Sequence, residues 1–308
     1  MTTVAVPSAP AATTRGAGTS RSRRPRAVWL GLLPFLVYVL LFLAVPAIIA
    51  VASGFITGTG AFTLETLKVL AQPQILNQFL ASFGISAVTA IVGAILGAII
   101  CFALIGTKPD GVLRSVVDSA SSVLAQFGGV MLAFAFIALI GTNGLLTNLL
   151  VRAGWVENPL NHFGNNGTLL YQLPGLAVVY LYFQVPLMVL TFLPAMEGLK
   201  PAWGEANAML GGTRFTYWTR IAMPVLAPAF FGSMILLFAN SFSSYATAAA
   251  LISQGGIIPL AIKQASSSET VAGLANVPGV LALGMVIVMI VLMSVYALLQ
   301  RRASRWQR

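Results

Sequence analysis

The chain has 308 residues, of which 58% are apolar and only 8% are charged, and its formal net charge at pH 7 is +10. A mean hydropathy of +0.90 is too high for a water-soluble domain, which needs polar side chains over its surface, so the composition favours a membrane protein. The cations lie in short runs beside apolar segments and are not interleaved with aromatic residues on one surface, which argues against nucleic acid as a partner.

Residues 1–27 are rich in Ala, Thr, Ser, Pro and Gly, with five arginines and no acidic residue. Such a segment has too little apolar surface to offset its chain entropy, so we predict a disordered basic tail. A cleaved signal peptide is the alternative interpretation. The apolar run that follows, residues 28–55, is long enough to span a bilayer and no small-residue cleavage site follows a short apolar core, so we predict that it is the first membrane span.

Six apolar stretches are long enough to cross about 30 Å of hydrocarbon as helices, in which the backbone polar groups bond to one another. We therefore predict an all-α membrane protein with a membrane domain over residues 28–300 and a basic tail over residues 301–308. The third span is the most polar, and Asp118 within it is expected near the cytoplasmic surface or facing the protein interior. The predicted spans are residues 28–55, 79–106, 114–140, 173–196, 225–252 and 279–300.

The distribution of basic residues predicts the orientation of these spans. Of the 17 lysines and arginines, 14 lie on the side of the N-terminal tail, and only Lys68, Arg152 and Lys263 lie on the other side. The positive-inside rule therefore places both termini, and the connection between the fourth and fifth spans, in the cytoplasm. The long external connection, residues 141–172, contains a short apolar run at 144–151 that predicts a short helix.

Several small residues and prolines within the spans predict local helix geometry. Gly93 and Gly97 form a GxxxG pattern that favours close helix packing, and Gly128 with Gly129 interrupts the third span. Prolines remove backbone donors and should bend or locally open the first and fourth spans, where they occur at Pro34, Pro46, Pro174, Pro186 and Pro194.

The sequence contains no recognisable catalytic or metal-binding constellation. It has no GxxxxGK[ST] phosphate loop, no HExxH motif and no paired nucleophile and base. His162 and Cys101 are the only residues of their types, and we assign neither a role. We predict no enzymatic activity and no cofactor in this chain, so ATP and Mg²⁺, if they drive transport, must be bound by another polypeptide.

The connection between the fourth and fifth spans is the longest polar and basic run between apolar segments. Pro201 suits a helix start, Glu205 is expected in the first turns of that helix, and Gly211-Gly212 should end it. A second, aromatic and basic helix is predicted over residues 214–222, ending where Pro224 opens the fifth span. The alternative is a pair of interfacial helices lying on the bilayer, anchored by aromatic side chains.

The spacing in this connection resembles the EAA motif of permease subunits of binding-protein-dependent ABC importers, which reads E-A-A, three residues, Gly, nine residues, I-x-L-P. Asn207 replaces the second alanine and Met223 replaces the leucine. The resemblance implies a six-helix type I importer fold and a cytoplasmic loop, the EAA-like loop (residues 201–224), that couples the chain to an ATPase. The implied coupling residues are Glu205, Ala206, Asn207, Gly211, Arg214, Ile221 and Pro224.

Membership of that family would imply several partners in a bacterial cytoplasmic membrane. They are two ATP-binding subunits, a second and non-identical permease, an extracytoplasmic substrate-binding protein and the lipid bilayer. The segments that begin at Phe127 and Phe238 look most like the polyamine-type branch, which also includes relatives for iron, thiamine and phosphonate. The resemblance therefore implies a polyamine-like solute, with iron, thiamine, phosphonate or a sugar as the alternatives.

Polar residues at mid-membrane depth are the candidates for the translocation path. They must find partners in protein, water or solute, and hydrogen bonding between helices is an equally good explanation for them. A secondary transporter, or a channel or scaffold subunit without an ATPase, stays open as an alternative function. The candidate path residues are Asn240, Ser241, Ser243, Ser244 and Tyr245, with Gln184 and Tyr180 as second choices.

Overall fold

A computed structural model describes residues 25–56, 61–107, 111–154, 169–252, 256–267 and 276–305. Its contacts divide the chain into two compact units, Met1–Ile49 and Ala50–Arg308. Most of the predicted N-terminal tail (residues 1–24), residues 306–308 and His162 lie outside the described residues.

The described residues are almost entirely helical. Helix α1 (Pro25–Val39) continues through a π-helical turn (Leu40–Ala44) into α2 (Val45–Ser53). Two short 3-10 segments, Glu65–Ala71 and Leu169–Tyr171, precede longer helices. The other helices are α3 (Pro73–Ile105), α4 (Val112–Gln126), α5 (Gly129–Ile140), α6 (Leu145–Arg152), α7 (Leu173–Glu197), α8 (Pro201–Met209), α9 (Arg214–Tyr217), α10 (Met223–Phe242), α11 (Ala246–Leu251), α12 (Ile258–Ser267) and α13 (Val277–Arg305).

Prolines mark both the starts of helices and local changes within them. Helices α3, α7 and α8 each have proline at their first or second position, where no preceding carbonyl needs the missing N–H. Pro46 and Pro224 each follow a π-helical turn that ends two residues earlier. A wider turn leaves room for the proline ring, so the helix that contains Pro224 continues without a break. The prediction that Pro224 opens a new helix is therefore wrong.

Six helical stretches of the described residues are long and apolar enough to cross a membrane, which confirms the predicted number of spans. The fourth agrees with the prediction to within one residue, and the short external helix is confirmed as α6. Helix α1 begins at Pro25, inside the predicted tail, and α13 extends to Arg305, inside the predicted C-terminal tail. The six stretches are Gly31–Ser53, Pro73–Ile105, Gly129–Arg152, Leu173–Glu197, Arg214–Phe242 and Val277–Arg301.

The predicted third span, residues 114–140, is wrong as a single helix. Helix α4 ends at Gln126, Gly128 is extended, and α5 begins at Gly129 with φ of 72°, a left-handed conformation that glycine adopts without steric cost. The two glycines divide the helix, which confirms the interruption predicted at this position. The apolar stretch long enough to span combines α5 and α6 instead.

The predicted fifth span, residues 225–252, is also interrupted. Its helix begins earlier, at Arg214, and ends at Phe242, and a turn over residues 243–245 leads into the short helix α11. We call residues 243–245 the polar turn. Hydropathy alone missed it, because the alanines and leucine of α11 keep the stretch apolar on average.

Helices α3 and α7 approach each other closely along a stripe of small residues on α3. A Cβ atom at Gly97 would lie 2.5 Å from Met188 Cβ, and one at Gly93 would lie 3.1 Å from Gln184 Cβ. Real side chains do not tolerate the first of these distances, so the close contact requires glycine at position 97. The packing expected from the GxxxG pattern is confirmed.

The buried apolar side chains form two main clusters in the second unit. One joins α3, α7 and α10, and its members include Cys101, which is fully buried as a small apolar residue. The other joins α5, α7 and α11. Helix α7 contributes to both clusters and has the largest buried share of the six candidate spans. Helix α7 therefore links the two clusters of the second unit.

A matched pair of glycine substitutions in α3 tests this contact. We expect Gly97→Ala to lower the free energy of unfolding by about 1–3 kcal/mol, since the added methyl group overpacks the contact with α7. Gly84→Ala is the control, because nothing lies within 4 Å of its Cβ position and alanine favours the helix by about 0.5–1 kcal/mol. Thermal unfolding of both variants in detergent measures the difference, and equal midpoints would contradict the close contact.

Candidate functional site

The EAA-like loop folds as two helices joined by a tight turn. Helix α8 ends at Met209, Gly211 adopts φ of 74°, and α9 begins at Arg214. The predicted break at Gly211-Gly212 is thus confirmed, and the left-handed backbone explains why glycine is present at position 211. The second helix does not stop at residue 222, because it continues through the π-helical turn (Trp218–Ala222) into α10.

Asn207 stabilises the turn from two sides. Its backbone carbonyl oxygen accepts a hydrogen bond from the Gly212 N–H at 2.8 Å, and its side-chain amide nitrogen donates to the Thr213 backbone carbonyl at 3.1 Å. A Cβ atom at Gly212 would lie 2.2 Å from the Asn207 amide oxygen. The asparagine that departs from the motif therefore occupies the space that a side chain at position 212 would need.

The N-terminus of α9 is capped, and aromatic contacts join the loop to the rest of the fold. The Thr213 hydroxyl accepts a hydrogen bond from the Thr216 N–H at 3.2 Å, as N-cap threonines do. The Trp218 ring lies edge-on to the Phe102 ring of α3, with centroids 5.0 Å apart. The loop therefore contacts α3 and continues directly into α10.

Three of the implied coupling residues lie around one small cleft. Ala206, Asn207 and Ile221 line a space of about 300 Å³ between α8 and the helix that leads into the fifth span. Beside it the apolar side chains of Met209 and Leu210 are each 89% exposed, and Phe215 is 77% exposed. An apolar tip of this kind on a polar loop is typical of a surface that binds another protein.

The charged and terminal positions of the motif lie at the surface. Glu205, Arg214 and Pro224 are exposed. Glu205 is the fifth residue of α8 and no acidic residue lies in its first turn, so the expectation that it meets the helix dipole there is wrong. The dipole acts mainly within the first turn, and an exposed carboxylate further along is better suited to an external partner.

The candidate path residues divide into a buried group and an exposed group. Tyr180, Gln184 and Ser241 are buried, Ser244 is half-buried, and Asn240, Ser243 and Tyr245 are exposed. The Tyr180 hydroxyl donates to the Ser244 carbonyl at 2.9 Å, which satisfies a backbone group of the polar turn. The buried members therefore support the turn, and the exposed members are the ones that a solute could reach.

A buried hydrogen-bond network joins the middles of α3 and α7 to the end of α10. The Gln184 amide donates to the Thr89 hydroxyl at 2.8 Å, and the hydroxyls of Thr89 and Ser241 are 3.2 Å apart. These contacts place the polar turn level with the middle of two spans. Sequence reasoning missed Thr89, although it lies on the same buried face of α3 as Ser86, Gly93 and Gly97.

The breaks within the predicted third and fifth spans are joined by one side chain, that of Thr247. The Thr247 hydroxyl accepts a hydrogen bond from the Gly129 N–H at 3.0 Å and donates to the Gly129 carbonyl at 3.2 Å. One buried side chain thus satisfies the Gly129 N–H, which has no acceptor within its own helix, and also contacts the Gly129 carbonyl. Irregular backbone at membrane depth is tolerated where protein or a cavity satisfies it.

The structure also reveals an ionic cluster that the sequence did not predict. Arg114 is buried and pairs with Asp118 on its own helix and with Glu197 at the end of α7. Asp118, expected at a membrane boundary or facing the interior, is half-exposed and contacts the arginine. A periodicity argument could have found the Arg114–Asp118 pair, because the two residues are four apart on a helix, but not Glu197.

Comparison with known proteins gives distant relatives of one kind, and no family model matches the chain. The sulfate transport system permease protein CysT of Escherichia coli (strain K12) is 22% identical over 178 residues, which cover 58% of this chain and 59% of that protein. The putative ferric transport system permease protein FbpB 1 of Haemophilus influenzae is 22% identical over 216 residues, 70% of this chain and 32% of that protein. The chain thus spans about six tenths of the length of the sulfate relative.

A solved structure agrees with the chain over nearly its whole length. A crystal structure of a bacterial alginate ABC transporter, in complex with an alginate pentasaccharide-bound periplasmic protein, contains a chain that matches with a TM-score of 0.67 at 15% identity. The match covers 90% of this chain and 94% of that one. The chain therefore has the fold of that chain of the alginate ABC transporter. The chain is accordingly a multi-pass membrane protein with the predicted fold class.

The buried network can be tested with two threonine substitutions. We expect Thr89→Val to lower the free energy of unfolding by about 1–3 kcal/mol, because it leaves the buried Gln184 amide without a hydrogen-bond acceptor. Thr191→Val is the control, since among the described residues the Thr191 hydroxyl donates only to carbonyls of its own helix. The two thermal midpoints in detergent should differ by several degrees, and equal values would mean that the network contributes nothing.

Proposed function

We propose that this chain is a membrane-spanning permease subunit of a binding-protein-dependent ABC importer. The single observation that carries the proposal is the EAA-like loop, with its apolar tip at Met209 and Leu210, on a permease fold. In this function the loop inserts into a groove on a separate ATP-binding subunit, as amphipathic helices dock through apolar anchors. ATP and Mg²⁺ are bound there, and this chain has no catalytic residue.

The polar turn is the proposed part of the translocation path. The exposed side chains of Asn240, Ser243 and Tyr245 lie where two interrupted spans meet, level with the middle of α3 and α7. Interrupted helices at membrane depth commonly line substrate sites in transporters. A second permease, expected to be non-identical, would complete the path, and an extracytoplasmic binding protein would deliver the solute.

The proposal does not specify the solute. The relatives named above are permeases of sulfate and ferric systems and the structural match comes from an alginate transporter, so the comparisons do not favour the polyamine-type branch. The relatives are permease proteins of transport systems and the structural match is part of an ABC transporter, which favours an importer over a secondary transporter or a channel. Both termini and the EAA-like loop are proposed to lie on the cytoplasmic side of a bacterial cell membrane.

Chemical labelling of single cysteines tests the orientation. Met209→Cys and Lys68→Cys both replace exposed side chains on opposite predicted sides, and the native Cys101 is buried. We expect a membrane-impermeant maleimide added to intact cells to label position 68 at least tenfold faster than position 209. Permeabilised cells are the control, where both should react. Faster external labelling of position 209 would invert the orientation and remove the proposed docking loop from the ATPase.

A proline substitution tests the docking function. Proline cannot adopt the φ of 74° at Gly211, so Gly211→Pro should distort the turn without changing a membrane span. When it is co-expressed with an ATP-binding subunit that co-purifies with the parent chain, we expect this variant to reach the membrane normally but to lose at least nine tenths of the co-purified ATPase.

Gly154→Pro is the matched control for that experiment. Gly154 has φ of 72° and donates its N–H to a carbonyl three residues earlier, as Gly211 does, but it lies on the predicted external side. We expect this variant to retain the ATPase. Normal co-purification and ATP hydrolysis with Gly211→Pro would contradict the proposed function of the loop.

A further inference from the structure

The ionic cluster formed by Arg114, Asp118 and Glu197 joins two helices by means of a nearly buried charge. The Arg114 side chain is only 11% exposed, whereas the two carboxylates are 45% and 44% exposed. Its Nε donates to Asp118 Oδ2 at 3.5 Å, and its Nη2 donates to Glu197 Oε1. A buried arginine that loses its partner stays charged in a medium of low dielectric constant, so the contact with α7 resists separation.

Glu197 is the last residue of α7, and the EAA-like loop begins only four residues later, at Pro201. The connection is tightly turned, because the N–H groups of Gly198 and Leu199 both bond back to carbonyls of α7. A displacement of α8 must therefore pass through the end of α7, where Arg114 is attached.

Helix α4 carries Arg114 in its first turn and is about 22 Å long, from 15 residues at 1.5 Å each. Only Arg114 and Ser121 on this helix are buried, and a cleft of about 550 Å³ lies between α4, α5 and α7. Helix α4 is thus held at the ionic cluster and packs along α7, with open space on one side. We expect it to move together with the end of α7.

The other end of α4 leads directly to the junction of the two interrupted spans. Gln126 ends the helix, and after Phe127 and Gly128 the backbone of Gly129 is bonded to Thr247 in both directions. Thr247 lies two residues beyond Tyr245, the last residue of the polar turn. The ionic cluster, α4 and the Gly129–Thr247 contact therefore form a continuous physical connection between the EAA-like loop and the polar turn.

We propose that Arg114 is a positioning residue that transmits movement of the EAA-like loop through α4 to the polar turn. The inference rests on the proposed function and adds a second route of coupling, apart from the direct continuation of α9 into α10. Glu197 moves with the loop, Arg114 moves with Glu197, and α4 pulls on the glycine break that Thr247 holds. The polar turn then changes its exposure when the ATPase closes.

The test measures that exposure without knowledge of the solute. Tyr245→Cys, at a position that is 39% exposed, is labelled with a maleimide in the reconstituted complex with its ATP-binding subunits, in the absence of nucleotide and with Mg-ATP and vanadate. We expect nucleotide to change the labelling rate at least tenfold. With Arg114→Met added, the change should be less than twofold while the complex still hydrolyses ATP. The double variant R114E/E197R exchanges the two charges across the helix contact, keeps one cation and two carboxylates in the cluster, and should restore the response.

Arg152→Met is the matched control, because it removes an exposed arginine on the predicted external side and should leave the response unchanged. A full nucleotide response in Arg114→Met would overturn the proposal. The proposal would also be overturned if Arg114→Met and R114E/E197R both failed to reach the membrane, since the cluster would then serve folding alone. Failure of the parent chain to assemble with the ATPase would instead refute the proposed function itself, and the inference with it.

Discussion

The close contact between α3 and α7 is the constraint on which the other features depend. Gly93 and Gly97 bring the two backbones together, and this proximity places the Gln184 amide within reach of Thr89. Thr89 in turn contacts Ser241, so the same contact holds the end of α10 at the level of the middle of both helices. In a lipid environment, where apolar surfaces gain little by leaving the solvent, small residues and buried hydrogen bonds of this kind are the main means of holding helices together.

The interrupted spans illustrate a second constraint, which is that backbone polar groups inside a membrane must be satisfied. The Thr247 hydroxyl serves both groups of Gly129, and the Tyr180 hydroxyl serves the Ser244 carbonyl. The network is not complete, because Ser86 Oγ and Gln184 Oε1 are buried without a hydrogen-bond partner among the described residues. Buried polar groups are costly unless they are paired, which is why most members of this network are hydrogen-bonded.

Local patterns predicted those features that depend on neighbouring residues. Six spans, the break at Gly211, the short helix α6 and the close approach at Gly93 and Gly97 follow from apolar run length, glycine conformation and small-residue spacing. The break in the third span was expected from Gly128 and Gly129. The break in the fifth span was missed, because hydropathy averaged over a window does not register a turn of three residues. The Thr89–Ser241 and Arg114–Glu197 contacts join residues 152 and 83 positions apart, and no local pattern encodes such pairs.

The polar contacts of the EAA-like loop and the ion pairs of the described residues differ in how much a substitution would cost. Asn207 departs from the motif, yet its amide fills the space above Gly212 and bonds to the backbone of the turn, so the position is restrained by shape as well as by hydrogen bonding. The exposed pair Lys68–Glu65 has side chains more than 80% exposed, and water screens most of its attraction. Arg114 is opposite in character, since burial makes the loss of a partner costly. A salt bridge transmits movement between two helices only if breaking the ion pair costs more free energy than moving the second helix. Among the ion pairs of the described residues, Arg114–Glu197 is the one that joins two helices and has a buried charge.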